Sequence, residues 1–222
     1  MEQTPIILYA AAVTPLEGPD ALAQAYALVS LARRQMADAL RRPADQRRCL
    51  AAGLLLRHTL AAWGADPAAL ETDRYGKPYL PVGPEFSLSH SGDYVLCAAA
   101  DRAVGCDVQR VGDLNLRVAR RCLTDMEYAD VLAQADPVAQ ALRFYRYWTL
   151  KESYVKAIGL GIRLSFREID IRLGPPVTLH HQGGERAFGL AEFDAIPGYR
   201  CALCAREGCG DATLERIPLP LK

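Results

Sequence analysis

The sequence has no surplus of charge of either sign and no long apolar run. Lysine plus arginine and aspartate plus glutamate each number 26 among its 222 residues. Nucleic-acid binding depends on a surplus of positive charge, so any anion site here must come from locally placed basic residues. No apolar stretch approaches the roughly 20 residues needed to span a bilayer, and the first residues lack a signal peptide's basic start. We therefore expect a cytoplasmic protein that contacts neither membrane nor nucleic acid.

The sequence also lacks a disulfide framework. Its seven cysteines are an odd number, and their spacings suggest no regular pairing. Cys201 and Cys204 form a CxxC pair that, together with Cys209, could be imagined as a zinc site. No second CxxC and no nearby histidine completes four ligands, and the segment has the pattern of a half-buried strand. Reduced thiols are the better interpretation.

No internal repeat and no low-complexity linker divides the chain. A sequence of 222 residues, half of them apolar, can form one large domain or two small, tightly packed ones. A rhythm of strands and helices occurs once in each half, which indicates an α+β fold with two subdomains. We place these subdomains at residues 1–103 and 104–222.

Apolar periodicity and turn residues predict the main elements. A capping residue, Thr124, precedes Asp125 and Glu127, and the longest helix should begin at Asp136 and Pro137 and end before Gly161. Other helices are expected at 20–40, 44–62 and, as one or two pieces, 114–134. Strands are expected at 5–13, 86–89, 94–100, 104–111, 168–173, 177–180, 185–193 and 198–206.

Two segments carry carboxylates that could perform chemistry. Glu152 and Lys156 lie four residues apart on the longest helix and share a face, which by itself is typical of a surface ion pair. Asp107 and Gln109 lie on one side of a short strand. A carboxylate there either faces water at the strand end, or is paired, or binds a metal, because burial of an unpaired charge costs free energy.

Two further segments carry groups that could bind an anion. Ser89 and His90, at a strand-to-turn junction, cannot form a nucleophilic triad because neighbours on a strand point to opposite faces, but they can hold a phosphate oxygen. Lys77 lies in a loop stiffened by glycine and proline, and is either a pre-positioned cation or a solvated lysine. The second helix carries further cations, which by spacing alone form a solvated face: Arg47, Arg48 and Arg57.

Taken in order, these segments resemble the signatures of the 4′-phosphopantetheinyl transferase superfamily, in its Sfp-type (surfactin-synthetase-activating) branch. The matching strings are YGKPYLP at 75–81, FSLSHSG at 86–92, VGCDV at 104–108 and FYRYWTLKESYVK at 144–156. The pattern WxxKESxxK within the last string is the most specific. The helix from Asp45 to Arg57 is similar to that branch's N-terminal helix, so the resemblance covers about residues 33 to 172.

The resemblance implies two similar α+β halves packed as a pseudo-dimer, with coenzyme A in the cleft between them, and a monomeric protein. It implies an enzyme that transfers the 4′-phosphopantetheine arm of coenzyme A to a serine of an apo acyl or peptidyl carrier protein. The products are holo-carrier and 3′,5′-ADP, so this is a holo-acyl-carrier-protein synthase activity. The longer, two-halved branch tends to serve secondary metabolism.

The resemblance also implies roles for individual residues. Asp107 and Glu152 would be carboxylate ligands of Mg²⁺, which grips the pyrophosphate of coenzyme A, and Glu152 would take the proton of the carrier serine. Lys156 would neutralise or protonate the departing phosphate. The 3′-phosphate end of coenzyme A would be held by Ser89, His90, Lys77, Arg48, Arg33 and Arg47.

One residue departs from the branch's pattern. Gln109 occupies the position where the branch commonly has a second acidic residue, and an amide brings no charge to a hard cation. It would ligate Mg²⁺ through its carbonyl oxygen or a water, or the site would use two carboxylates alone. Two alternatives remain: a metal-dependent hydrolase of nucleotide pyrophosphates, and a degenerate, non-catalytic binder of coenzyme A or carrier protein. An acidic carrier is expected to dock around residues 114–128, where Arg117, Arg120 and Arg121 lie.

Overall fold

The computed structural model describes residues 4–72, 78–161, 164–182, 184 and 187–221. It is a mixed α+β fold, as predicted, and the chain divides into two compact units. The first comprises residues 1–102 and 211–222, and the second comprises residues 103–210. Within the described ranges, no helix is both long and apolar enough to cross a bilayer.

The first unit is a four-stranded sheet with three helices and a small two-stranded sheet. The helices are α1 (Pro19–Leu28), α2 (Leu31–Asp38) and α3 (Pro43–Trp63). The strands are β1 (Ile7–Ala12), β2 (Glu71–Thr72), β3 (Pro78–Tyr79), β4 (Glu85–Ser91), β5 (Tyr94–Ala100) and β11 (Glu215–Arg216). The main sheet has the order β11-β1-β5-β4, and β2 pairs with β3.

Apolar packing holds α3 against this sheet. Leu50 and Leu54 of α3 are fully buried in one cluster with Val95 and Cys97 of β5. Val95 and Cys97 alternate with the residues that face the other side, so a single face of the sheet meets the helix. Pro43 starts α3, where its missing N–H would have had no intrahelical acceptor, and Gly64 ends it in the left-handed conformation at φ 84°.

The second unit repeats this plan with a three-stranded sheet. Its helices are α4 (Leu116–Cys122), α5 (Asp125–Leu132) and α6 (Pro137–Ala157). Its strands are β6 (Val104–Arg110), β7 (Ile169–Arg172), β8 (Thr178–His181), β9 (Phe188–Phe193) and β10 (Tyr199–Arg206). The main sheet has the antiparallel order β6-β10-β9, and β7 pairs with β8.

Helix signals in the second unit are confirmed. The Thr124 hydroxyl accepts from the Glu127 N–H at 3.3 Å while the Glu127 carboxylate accepts from the Thr124 N–H at 2.8 Å, a complete capping box. The Asp136 carboxylate caps α6 by accepting from the Ala139 N–H at 2.8 Å. The predicted α6 therefore has both of its expected boundaries.

Two expectations differ from the structure. The helix predicted at 20–40 is two helices, because Ser30 adopts extended backbone and its hydroxyl caps α2 by accepting from the Arg33 N–H. The last residues, predicted with the second subdomain, belong to the first unit. Glu215 and Arg216 of β11 pair in parallel with Tyr9 and Ala10 of β1, so backbone hydrogen bonding returns the chain to its starting sheet.

Candidate active site

A glycine allows α6 to approach β6 closely. A Cβ added to Gly105 would lie 2.0 Å from the Ser153 carbonyl oxygen and 2.5 Å from the Ala157 nitrogen, both in the backbone of α6. Any side chain at this position would push the helix away from the strand. Asp107 and Gln109 lie on the same face of β6 as Gly105, so the helix passes directly over them.

The close approach pairs Asp107 with Lys156. The Lys156 Nζ donates to the Asp107 Oδ1 at 2.6 Å and to the Cys106 carbonyl at 3.2 Å. The Asp107 side chain is only 1% exposed, whereas that of Lys156 is 28% exposed. Burial lowers the pKa of Lys156, but the combined effects of Asp107, Cys106 and Glu152 outweigh it and leave the pKa above its ordinary value. Lys156 is therefore an ammonium that neutralises a buried carboxylate at the edge of solvent.

Glu152 brings a second carboxylate to the same place. Burial raises its pKa, the negative charge of Asp107 raises it further, and Lys156 opposes both effects. Within the part of the chain that the structure describes, no hydrogen bond or ion pair involves the Glu152 carboxylate. The site therefore holds two carboxylates against one ammonium, and the second carboxylate keeps its acceptor capacity for a ligand.

Gln109 supports Asp107. Its Nε2 donates to the Asp107 Oδ2 at 3.2 Å, so the two carboxylate oxygens of Asp107 receive Gln109 on one side and Lys156 on the other. This hydrogen bond holds the Asp107 carboxylate in place from the side opposite Lys156. The role of Gln109 as a metal ligand stays a prediction.

The donor set fits a divalent metal that prefers oxygen. Among the described residues, no group of three His, Cys, Asp or Glu side chains converges on one point. Two carboxylates are nevertheless a usual protein contribution for Mg²⁺, whose other ligands are waters and substrate phosphates. The mutual repulsion of Asp107 and Glu152 is the electrostatic feature that such a cation would relieve.

A second lysine on α6 has a different function that the sequence reading missed. Lys151 is fully buried and forms an ion pair with Glu127 of α5. Its Nζ also donates to the carbonyls of Cys122 at 3.1 Å and Phe166 at 2.8 Å, while the Glu127 carboxylate accepts from the Ile171 N–H. The first lysine of the WxxKESxxK pattern therefore joins four segments of the second unit, and only the second lysine reaches the site.

In the first unit, two predicted anion-binding residues come to one corner. The Arg48 Nη1 donates to the Gly92 carbonyl at 3.1 Å, which places it at the β4–β5 turn, one residue beyond the end of β4. His90 is exposed near the end of β4. Ser89 is 5% exposed and, by strand alternation, lies on the opposite face of the sheet from His90.

Two other residues predicted to bind phosphate, Arg33 and Arg47, lie on α2 and α3. Arg33 lies over Gly53, where an added Cβ would be 2.8 Å from its Cγ, and lines an apolar cavity of about 400 Å³ with Val29 and Leu56. Arg47 is half-buried on α3. Lys77 lies outside the described residues.

The two cysteines of the CxxC pair lie apart in the described part of the chain. Cys201 and Cys204 are three apart on β10, so their side chains point to opposite faces of the strand. Burial raises the pKa of Cys201 to about 12 and the pKa of Cys204 well above its ordinary value. Both buried thiols therefore favour the protonated form, and their reduced state stays a prediction.

Comparisons with known proteins identify the family that this sequence resembles. A sequence profile of the 4′-phosphopantetheinyl transferase superfamily matches residues 103–204, nearly the whole second unit. The chain is 32% identical over 186 residues to a 4′-phosphopantetheinyl transferase of Bacillus subtilis, covering 81% of this chain and 83% of that protein. It is 31% identical over 210 residues to the 4′-phosphopantetheinyl transferase psf-1 of Bacillus pumilus, covering 90% of each. It is also 34% identical over 145 residues to the transferase Sfp of Bacillus subtilis strain 168, covering 60% of this chain and 61% of that one.

Proposed function

The chain belongs to the 4′-phosphopantetheinyl transferase superfamily, and we propose that Asp107, Glu152 and Lys156 form the centre at which it transfers the phosphopantetheine arm of coenzyme A. The observation that carries this proposal is the convergence of the three side chains under α6, with two carboxylates facing one ammonium. The superfamily's chemistry requires such a set, because a hydroxyl must lose a proton while a phosphate anion departs. The activity is that of a holo-acyl-carrier-protein synthase.

The metal of this centre is proposed to be Mg²⁺, held by Asp107 and Glu152. When bound, it would offset negative charge on the pyrophosphate, as metal ions do in phosphoryl transfer. The support is the oxygen-only donor set and the raised pKa of Glu152, which burial raises most and the negative charge of Asp107 raises further. Gln109 would fix the orientation of Asp107 and offer its carbonyl oxygen to the metal or to a bound water.

The protein residues then supply proton transfer and charge. The serine oxygen of the carrier forms a bond to the β-phosphorus of coenzyme A, and the bond from that phosphorus to the bridging oxygen breaks. The electron pair leaves with 3′,5′-ADP. Glu152 accepts the serine proton, for which a raised pKa is favourable. The Lys156 ammonium lies beside Asp107 and stabilises the new charge on the leaving phosphate.

The 3′-phosphate of coenzyme A is proposed to bind at the β4–β5 turn of the first unit. Arg48 at that turn and the exposed His90 are the best supported of the predicted set, since both lie at one corner. Ser89, Arg33, Arg47 and Lys77 remain predictions of the same role.

The acceptor is proposed to be an apo acyl or peptidyl carrier protein that docks on α4 and the start of α5. Leu116 and Met126 are exposed apolar side chains there, 48% and 79% exposed. Arg117 and Arg121 are exposed beside them and have no hydrogen bond or ion pair through their side chains among the described residues. Arg120 is partly neutralised by Asp125 at 3.0 Å, so it should contribute least to binding an acidic partner. The choice of carrier, the monomeric state, the cytoplasmic location and a role in secondary metabolism also remain proposals.

The test is a mass measurement on an apo-carrier incubated with coenzyme A and Mg²⁺. The wild-type protein should add one phosphopantetheine to the carrier, and the Glu152→Gln variant should lose about 10²- to 10⁴-fold in rate, the usual contribution of a general base. Release of 3′,5′-ADP without carrier would instead support the hydrolase alternative. Binding of coenzyme A with no mass shift would support the non-catalytic alternative, although the comparisons favour a transferase over both.

A further inference from the structure

Arg200 lies beside the active site, and the mechanism above does not use it. It is on β10, directly opposite Gln109 of β6, while the neighbouring Ala202 is opposite Asp107. Residues paired in this way have Cβ atoms about 4.5–5.5 Å apart and lie on the same face of the sheet. This is the face that α6 covers, as the contacts of Gly105 demonstrate. Arg200 is therefore a cation in the row of residues next to Asp107.

The hydrogen-bonding capacity of Arg200 is incompletely used. Its side chain is only 22% exposed, and its Nη1 donates to Asp194, whose side chain is 84% exposed. Across the described ranges, its buried Nε finds no acceptor. A buried donor without a partner lowers the stability of the fold. The ion pair between Arg200 and the exposed Asp194 contributes too little stability to offset that cost. The arrangement is incomplete as a structural ion pair.

A second arginine, which lies on the helix above this face, differs from Arg200 in its hydrogen bonding. The Nε and Nη2 of Arg146, on α6, donate to the two carboxylate oxygens of Glu192 at 2.9 and 2.6 Å. Glu192 lies opposite Ala202, in the row of Asp107. The Nε edge of Arg146 is thus engaged, and this ion pair fastens α6 to β9. Arg200 differs because the Nε edge of its guanidinium still has a donor to offer.

We propose that Arg200 is a substrate-binding residue that contacts the pyrophosphate of coenzyme A. A guanidinium presents donors in a planar fork that matches two phosphate oxygens. Binding of the pyrophosphate would give the Nε an acceptor, and the phosphate would replace Asp194 as the anionic partner of Arg200. The position suits this role, because Gln109, its cross-strand partner, bonds to the Asp107 carboxylate. The inference rests on the proposed function, since it assumes that coenzyme A binds at Asp107 and Glu152.

The test compares two ligands by isothermal titration calorimetry in the presence of Mg²⁺. Coenzyme A contains the pyrophosphate, whereas adenosine 3′-phosphate lacks it. Arg200→Gln should weaken coenzyme A binding about tenfold or more, the effect expected for a charge-assisted hydrogen bond, and leave adenosine 3′-phosphate unchanged. Arg206→Gln is the matched control, because Arg206 is on the same face at the other end of β10 and stacks on Phe188. It should change neither affinity.

Asp194→Asn separates ligand binding from a structural role. If Arg200 served only to hold Asp194, this variant would reproduce the effects of Arg200→Gln. We expect instead that Asp194→Asn binds coenzyme A as tightly as wild type or more tightly, because a competitor for the guanidinium is removed. Equal coenzyme A affinities for wild type and Arg200→Gln, or a loss in Asp194→Asn that matches Arg200→Gln, would overturn this inference alone. A wild-type protein that neither binds coenzyme A nor modifies a carrier would overturn the proposed function as well.

Discussion

The two units share one order of elements and differ in what lies beneath the long helix. In each, one strand is followed by helices, the last of 21 residues, then by a small two-stranded sheet and a hairpin. The second strand of each hairpin pairs antiparallel with the unit's first strand, β5 with β1 and β10 with β6. The same scaffold thus occurs twice, although the sequence has no detectable repeat.

The residues under the helix separate the two units chemically. In the first unit, a row across the covered face is apolar throughout: Tyr9, Cys97 and Leu88. In the second unit, a comparable row contains two carboxylates: Asp107, Ala202 and Glu192. Helix α6 tolerates them because it carries Lys156 and Arg146 above them. The covered face of the first unit is therefore apolar in this row, whereas that of the second unit carries the charged residues of the proposed centre.

The largest expected effect concerns how α6 is held. Lys151→Met removes one partner of a fully buried ion pair and leaves Glu127 as an uncompensated charge. We expect a loss of about 3–5 kcal/mol in the free energy of unfolding. Leu54→Ala in the first unit, which only creates a cavity, should cost about 2–5 kcal/mol. Urea denaturation measures both, and a cost below about 1 kcal/mol for Lys151→Met would show that charge is not essential to the second unit's packing.

The next effect concerns the distance between α6 and β6. Gly105→Ala places a methyl group within 2.0 Å of the Ser153 carbonyl oxygen, so the helix must shift and move Glu152 and Lys156 away from Asp107. A misplacement of about 1 Å can cost on the order of a hundredfold in rate, which is the loss expected in kcat/KM. Gly112→Ala is the control, because its methyl group would lie 3.6 Å from the Tyr145 hydroxyl. If both variants kept full activity, the close approach would have no functional importance.

A smaller effect is expected from adding charge to the row. Gln109→Glu supplies a third carboxylate beside Asp107. The Mg²⁺ concentration for half-maximal activity should therefore fall several-fold, which is the effect expected from one added negative charge near the protein surface. The same variant should be less stable without Mg²⁺, because Asp107 exchanges a donor for a like charge. Magnesium titrations of activity test this prediction, and identical curves for the two proteins would place residue 109 beyond the reach of the metal.

The smallest effect is a pH dependence of stability. The pKa of Glu152 is raised above its ordinary 4.5 by burial and by Asp107, so over a window above 4.5 the folded protein keeps a proton that the unfolded chain has lost. Stability measured in EDTA should therefore gain less from rising pH through that window than it does in Glu152→Gln. With Mg²⁺ present the contribution should reverse, since the metal favours the ionised carboxylate. Melting temperatures of the wild-type protein and Glu152→Gln, measured across this pH window in EDTA and in Mg²⁺, test both expectations.

Local signals predicted the second unit's elements well. Thr124 with Glu127, and Asp136 with Pro137, define helix starts through contacts within one turn, and both are found as expected. The strand alternation that places Asp107 and Gln109 on one face is also local, and the hydrogen bond between them agrees with it. Glu152 and Lys156 share a face of one helix by their spacing of four residues, which is also local, whereas their roles in catalysis stay predictions of the resemblance.

Features that depend on distant pairing could not be predicted. Lys151 lies on the same helix as Lys156, and its burial against Glu127 follows from the packing of α5 against α6, which no local pattern contains. Arg200 acquires its position from the β6–β10 register, which no local pattern contains. The importance of Gly105 likewise follows from the helix above it. The tail at 211–222 has no apolar alternation strong enough to indicate its return to the first sheet.

The return of that tail makes the second unit an insertion within the first. Residues 103–210 are inserted into the sequence of the first unit. The start of this insertion lies close to a residue near its end, since the Arg206 N–H donates to the Ala103 carbonyl at 2.9 Å. A ribosome adds about 5–20 residues per second. The outer edge of β1 near Tyr9 and Ala10 must therefore wait on the order of ten seconds for β11 to be synthesised. During that interval the outer edge of β1 lacks its parallel partner, so its backbone N–H and C=O groups there stay unpaired by β11.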